Sequence, residues 1–298
     1  MTPKNIQRIA ITGASGLIGT ALTGHLKAEG HTVQKLVRRK ALAPDEISWD
    51  PIKGEVDLDS LANVDVIIHL AGAGVGDKRW NQKYREEILN SRLLGTTTIA
   101  NAVQQIKPQK FISASAIGFY GETGNRAVSE KDRAGDDFLA TVCREWEAAA
   151  DIATPVPTIK LRTGLVLDST GGALARMLPL FNFGVGGRLG NGKQWWSWIT
   201  IKDQVRAIDF LMHSDITGPV NLTTPNPVTN NEFTAALARA MKRPALFPVP
   251  GFVLKAALGG FSTEVLGSKK IMPEVLTNAG FNFEFPSIFP ALSILANQ

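Results

Sequence analysis

Short β-branched, apolar runs alternate with amphipathic stretches through the first half of the chain. That alternation predicts a parallel sheet covered by helices on both faces. The predicted strands are Arg8 to Thr12, Thr32 to Val37, Val64 to Leu70, Lys110 to Ser115 and Thr158 to Arg162. Each is short and apolar enough to be buried on both sides. The clearest helix follows Asp136, where Phe138, Leu139, Val142, Cys143, Trp146 and Ala150 recur every three or four residues while Arg144, Glu145 and Asp151 fall toward the other face.

Beyond Gly164 the texture changes. The run L-P-L-F-N-F-G-V-G-G-R-L-G-N-G-K-Q-W-W-S-W is rich in glycine, proline and tryptophan and predicts a loop. A helix resumes near Asp203, read as its N-cap, and another near Thr229, where T-N-N-E offers a capping box with Glu232. There is no internal repeat and no low-complexity linker. The expected architecture is α/β, a doubly wound parallel sheet with a smaller C-terminal substrate lobe. Residues 1–165 form the nucleotide domain and 166–298 mainly the lobe, with some segments returning to the first domain.

Composition narrows the function. With 44% hydrophobic and 20% charged residues in 298, the chain should fold throughout. The net charge is +5, yet the densest basic cluster, Arg38-Arg39-Lys40, is too short for a nucleic-acid-binding stripe, so no nucleic-acid partner is expected. The single cysteine, Cys143, excludes an internal disulfide, and with 4 histidines scattered along the chain no metal pattern emerges. A reducing cytoplasm fits. No apolar run reaches membrane-spanning length, and M-T-P-K-N-I-Q-R-I-A-I-T-G lacks a long apolar leader, so a cytoplasmic protein with no membrane partner is the expectation.

The candidate chemistry begins at I-T-G-A-S-G-L-I-G. Gly13, Gly16 and Gly19, with Ser15, Leu17 and Ile18 between them, follow the first strand and open a helix. Absent side chains let backbone amides approach a pyrophosphate where the helix dipole favours negative charge. The second strand runs into Arg38 and Arg39, about where a dinucleotide-binding fold places an acid against the ribose 2′-hydroxyl. Guanidinium there suits a 2′-phosphate, which predicts NADP(H) over NAD(H). Leu70, Ala71 and Gly72 end the strand V-I-I-H-L-A-G and are small enough for a nucleotide to lie along the backbone, while His69 reads as strand packing.

T-G-A-S-G-L-I-G, H-L-A-G, the serine of S-A-S-A-I-G-F-Y-G and L-R-T-G-L-V-L together resemble the extended short-chain dehydrogenase/reductases of the epimerase/dehydratase branch. G-N-G-K-Q-W-W-S-W-I, N-P-V-T-N-N-E-F and P-E-V-L-T-N-A-G-F-N-F resemble its epimerase-family, cell-division-inhibitor-like subgroup. The resemblance covers nearly the whole chain. It implies a Rossmann-type NADP(H) domain, a nucleotide-sugar-like or other small-molecule substrate, a homodimer of the kind common in the wider family, and Arg162 of L-R-T-G among the cofactor contacts.

The same family carries Tyr-x-x-x-Lys on the helix after the serine strand. Here Leu139 and Cys143 stand in those places. Moving a hydride requires a proton to move as well, and a positioned acid or base contributes typically 10²- to 10⁴-fold. Ser115 resembles the family's catalytic serine, and Tyr120 is the available phenol, though with no cation beside it its pKa stays near the reference value of about 10. Cys143, on the apolar helix face, reads as a buried small hydrophobe. The stretch from Gly184 to Trp198 is expected to line a substrate cleft, with Arg188, Lys193 and Gln194 as polar contacts and Trp195, Trp196 and Trp198 either stacking there or anchoring the lobe. Two functions follow: an NADP(H)-dependent oxidoreductase or epimerase-like enzyme, or a non-catalytic NADP(H)-binding sensor.

Overall fold

The computed structural model describes residues 6–296, so Met1 to Asn5, which open the segment read for a leader, lie outside the described residues. The main sheet uses β1 (Arg8–Thr12), β2 (Thr32–Val37), β3 (Glu46–Asp50), β4 (Glu55–Val56), β5 (Val66–His69), β6 (Lys110–Ala116), β7 (Thr158–Thr163) and β8 (Gly218–Leu222). Their order across the sheet is β8-β7-β6-β5-β1-β2-β3-β4. All neighbours are parallel except β3 and β4, which pair antiparallel through Trp49 with Val56 and Asp50 with Glu55. The chain builds outward from β1 to β4 and then crosses to β5 on the other side of β1. That reversal opens a crevice at the carboxyl ends of β1 and β5, where such sheets bind ligands.

Strand alternation sends side chains to two separate cores. Ile9 and Ile11 of β1 and Val66 and Ile68 of β5 join Leu22 and Leu26 of helix α1 (Leu17–Ala28). Ala10 and Ile67 point the other way, against Ile99, Ala100 and Val103 of α2 (Gln82–Ile106). Helix α3 (Phe138–Ala150) starts at Asp137, whose side chain accepts from the Ala140 amide, and packs beside α2. A third core is built from residues 167–295. It gathers Leu174 and Phe181 of α4 (Gly172–Asn182), Trp198, Phe233 and Leu237 of α6 (Asn230–Met241), and Leu292 of α8 (Ile288–Leu295). Between α4 and α6 lies α5 (Ile201–Met212), which instead covers the main sheet through Val205, Ile208 and Leu211; α7 (Gly251–Leu258) has no buried residue. No helix of the described residues is long and apolar enough to cross a membrane.

Several expectations need correcting. β3, β4 and β8 are strands the apolar pattern did not predict, and β8 brings residues 218–222 back to the edge of the main sheet beside β7. The loop expected from Leu178 begins inside α4, which carries Pro179 in its body. Thr200, not Asp203, caps α5; Asp203 sits in the first turn, 1% exposed, accepting from Arg206 at 2.6 Å and from the Glu284 and Phe285 amides at 3.0 and 2.9 Å. The Thr229–Glu232 capping box is present as read.

Candidate functional site

The crevice floor is built from glycine. After β1 the chain turns at Gly13 with φ of 68°, and a Cβ there would lie 2.9 Å from the Ala71 nitrogen and the Leu70 carbonyl carbon. A Cβ on Gly19 would lie 2.1 Å from the Gly13 oxygen, so α1 can start this close to the turn only without a side chain. Gly16 is the N-cap and supplies no side-chain acceptor, which leaves the first amides of α1, from Leu17 to Gly19, to an outside anion. Ser15 is exposed beside them. This cradle suits a diphosphate.

Thr12 ties the second wall to the first. Its Oγ1 accepts from the Leu70 and Ala71 amides at 3.1 and 3.2 Å and lies 2.8 Å from His69 Nδ1, holding L-A-G alongside the glycine turn. Both amides already donate to Oγ1, so its own proton goes to Nδ1. His69 is fully buried, edge-on to Trp49, and burial pulls its pKa down to about 3. It packs as a neutral ring, as its place in the strand suggested.

At the end of β2 the two arginines part company. Arg39 donates to both carboxylate oxygens of Glu46, at 2.8 and 2.6 Å, and its guanidinium, helped by the Leu42 amide, holds Glu46 down at about 2. An acid thus competes for Arg39, because Glu46 arrives from the neighbouring β3. Arg38 is exposed and, among the described residues, has no ion-pair partner. It borders a groove of about 450 Å³ that also includes Ser48 and Asp50.

Ser115 and Tyr120 do come together, but inside a buried network. Ser115 Oγ donates to Glu147 Oε1 at 2.7 Å. Arg162 grips the same carboxylate from Nε at 2.8 Å and Nη2 at 2.9 Å, and its Nη1 donates to the Tyr120 hydroxyl at 2.9 Å. Tyr120 in turn donates to Asn221 Oδ1 at 2.8 Å, and the Asn221 backbone N–H donates to Glu130 Oε1 at 3.0 Å. Arg162 also lies over the Phe119 ring, 3.4 Å from its centroid.

Two expectations change as a result. Arg162 is 4% exposed with its donors directed at protein groups, so it organises the site from beneath and does not face a cofactor. Tyr120 is 3% exposed, with its hydroxyl already donating and accepting, and burial pushes its pKa up to about 12. A phenol in that state exchanges no proton near neutrality. Tyr120→Phe should therefore cost about 1–3 kcal/mol in urea unfolding by stranding Arg162 and Asn221. Any turnover should fall well short of the 10²- to 10⁴-fold loss of an acid/base residue; unchanged stability would show that the network does not form.

Leu139 and Cys143, in the tyrosine and lysine places, are both buried, and burial drives the Cys143 thiol up to about 12. It is inert, as its helix face implied. In the Gly/Trp stretch, Trp198 is fully buried and Gln194 donates to the Leu189 carbonyl, while Trp195 bonds Asn125 at 3.0 Å with Lys270 over its ring. Trp196 packs on Phe233, and Arg188 and Lys193 are exposed. The tryptophans thus anchor the lobe. Three of the four histidines that look scattered in sequence are gathered in space: His25 and His213 lie 3.0 and 3.3 Å from the Asp209 carboxylate, and His31 tilts against His213. By spacing alone His31, Asp209 and His213 could hold a metal. However, the Gln7 amide donates to His31 Nδ1, which puts the neutral ring's proton on the other nitrogen and makes that nitrogen a donor rather than a ligand.

Glu147, Asn221, Glu130 and Arg92 were not singled out from sequence. Glu147 had a readable signal: it falls four residues after Cys143, on the apolar face of α3, where an acid needs a buried cation.

Residues 9–141 match the model of the NAD dependent epimerase/dehydratase family, and residues 249–295 match a domain of unknown function, DUF1731. The chain is 44% identical over 289 residues to epimerase family protein ML0860 of Mycobacterium leprae, covering 96% of this chain and 94% of that protein. It is 33% identical over 293 residues to epimerase family protein SDR39U1 of Mus musculus, covering 96% and 98%. Human epimerase family protein SDR39U1 (isoform 2), crystallised with NADPH, superposes with a TM-score of 0.90 at 30% identity over 98% of this chain and 99% of that one. A nucleoside-diphosphate sugar epimerase from Corynebacterium glutamicum gives 0.80 at 33% identity over 98% of this chain and 58% of that one.

Proposed function

The chain belongs to the NAD dependent epimerase/dehydratase family, and from that premise we propose that it is an NADP(H)-dependent oxidoreductase or epimerase-like enzyme. Its substrate is a small polar molecule, nucleotide-sugar-like or carbonyl-bearing. The observation that carries this reading is the glycine cradle at the α1 N-terminus, with Arg38 at the end of β2 in no ion pair among the described residues. The crystal structure of human SDR39U1 with NADPH supports the choice of dinucleotide. Residues 1–165 would carry the nucleotide and mainly residues 166–298 the substrate, in a cytoplasmic protein that pairs as a homodimer.

When bound, the nicotinamide supplies hydride chemistry. The α1 amides hold the diphosphate, Arg38 meets the 2′-phosphate, and Leu70, Ala71 and Gly72 let the nucleotide lie along the backbone. Ser115 gives its own proton to Glu147, so its oxygen is left to accept from a substrate hydroxyl and orient it. With Tyr120 closed off, the balancing proton passes to water or to a group of the substrate.

Arg38→Ser should weaken NADPH binding roughly 10- to 100-fold, the equivalent of a charge-assisted contact of about 1.5–3 kcal/mol, and leave NADH binding unchanged. Arg39→Ser should do less, because Glu46 already holds that guanidinium. Fluorescence titration decides it: equal affinity of the unsubstituted protein for the two dinucleotides would defeat the proposal.

A second reading, an NADP(H) sensor without catalysis, is favoured by one observation: Tyr120 is sealed, and Leu139 and Cys143 offer no proton relay. Stereospecifically deuterated NADPH separates the two. Label passed to a sugar, aldehyde or quinone, and diminished in Ser115→Ala, supports the enzyme; no transfer across the panel supports the sensor.

A further inference from the structure

We propose that the protein docks on an anionic lipid bilayer, through exposed apolar side chains of residues 180–185 and 246–253 and the basic residues around them. This goes beyond the functional reading above and does not depend on it. Interfacial binding needs no spanning helix, but it departs from the expectation of no membrane partner. The first observation is charge. No acid stands between Asp168 and Asp203 or between Glu232 and Glu264, yet these two stretches hold eight Lys and Arg residues, all exposed. They carry +8 where the whole chain carries +5, so the rest of the molecule is net negative. Among the described residues two of the eight meet an acid, Arg176 at Asp77 and Lys202 at Glu284. Arg188, Lys193, Lys242, Arg243 and Lys255 form no ion pair there.

The same two stretches hold more than half of the large apolar side chains that the described residues leave exposed, Phe183 at 83% and Phe252 at 74% among them. The fold sets the stretches side by side. The Val249 amide donates to the Arg188 carbonyl and the Gly190 amide to the Val249 carbonyl, both at 2.8 Å, and a Cβ on Gly187 would lie 1.9 Å from the Phe247 oxygen. Leu266 lies under both, 2.8 Å from a Cβ at Gly190 and 3.5 Å from one at Gly251. From Gly251 the chain continues as α7, whose sequence G-F-V-L-K-A-A-L has Lys255 as its one charged position and buries no residue. A helix that sends nothing into a core has no folding reason to be this apolar, and an exposed patch of this kind marks a contact surface.

Charge complementarity selects the partner. Apolar groups flanked by lysine and arginine match a bilayer, whose acyl boundary takes the first and whose anionic headgroups take the second. A second copy of the chain fits poorly, because a two-fold contact would set the same cations against one another. Side chains as exposed as Phe183 and Phe252 stand out from the surface instead of lining a recess. That suits a fluid partner better than a shaped one, whose contacts would be packed as closely as a protein interior.

The test is flotation of the full chain, with and without NADPH, on vesicles of phosphatidylcholine alone and of phosphatidylcholine mixed with phosphatidylglycerol. The expected result is binding to the anionic vesicles and not to the neutral ones, unaffected by NADPH and weakening as salt rises. Phe183→Ser with Phe252→Ser should weaken it roughly tenfold or more, and Arg243→Gln with Lys255→Gln by a similar factor. All four positions are exposed, so both variants should keep the thermal stability and the NADPH affinity of the unsubstituted protein. The proposal is overturned if the protein binds neither vesicle, or if the phenylalanine variant binds as well as the unsubstituted protein, which would leave charge adsorption alone. It is also overturned if poly-glutamate is bound as tightly as the anionic vesicles, which would assign the face to an acidic protein. Self-association in sedimentation that the phenylalanine variant abolishes, without vesicle binding, would assign it to a second copy and overturn the proposal equally. Should vesicles bind and NADPH not, the functional reading fails and the docking stands.

Discussion

Glu147→Ala is expected to cost about 3–5 kcal/mol in urea unfolding, a large share of the roughly 5–15 kcal/mol that holds a native protein together. Among the described residues Glu147 is the acid whose carboxylate pairs with the Arg162 guanidinium, through two bonds of 2.8 and 2.9 Å, and both residues are nearly out of water. Removing the carboxylate strands a buried cation and also releases Ser115. The cost belongs to the stranded charge and not to the pair. Replacing both partners by apolar residues of similar size, Glu147→Leu with Arg162→Met, should therefore recover most of the loss, less what Tyr120 forfeits when its arginine donor goes. If the double variant were no more stable than the single one, the pair would have to be stabilising in its own right.

Gly19→Ala should reduce NADPH affinity on the order of a hundredfold, the loss of one or two charge-assisted amide contacts, with about 1–3 kcal/mol of stability lost as well. The new methyl would fall 2.1 Å from the Gly13 oxygen and 2.7 Å from the Ala14 Cα, both backbone atoms of the turn. The backbone must give way, and the amides it aims at the diphosphate move with it. Gly24→Ala is the control. It lies in the same helix with nothing within 4 Å of its Cβ position, so it should leave binding alone and add up to about 1 kcal/mol of helix stability. Isothermal titration with thermal unfolding on the two variants reads both effects, and equal affinities would remove the cradle from the nucleotide site.

The parts of the fold legible in the sequence are those governed by local repetition. β1 alternates Ile9, Ala10 and Ile11 between two cores, and its glycine turn follows at once, so strand, turn and helix all announce themselves. β8 reads G-P-V-N-L, with residues depleted from strands, and is tolerated because it lies at a sheet edge where Pro219 costs little. β3 shows only Ile47 and Trp49 as inward apolar positions, too few to stand out, and so its Glu46 could not be foreseen as the partner of Arg39.

The polar site was legible in its members but not in its wiring. Ser115 and Tyr120 were found because they follow a recognisable strand. Their actual partners stand 32 and 101 residues further along the chain, at Glu147 and Asn221. No spacing rule connects such positions, since they meet only after three strands have paired. Burial then reverses the chemistry expected of the phenol, because a hydroxyl with both roles filled and water excluded becomes a fastener.

Asn221 rides on β8, and β8 comes from sequence more than 50 residues beyond β7. The half of the chain that would meet substrate therefore stitches itself into the scaffold that would hold the nucleotide. A fragment ending at Gly164 would present β7 as a raw edge and leave the Tyr120 phenol searching for its acceptor. The early and late parts of the chain are thus not separable modules, because Asn221 and β8 seam them into one sheet.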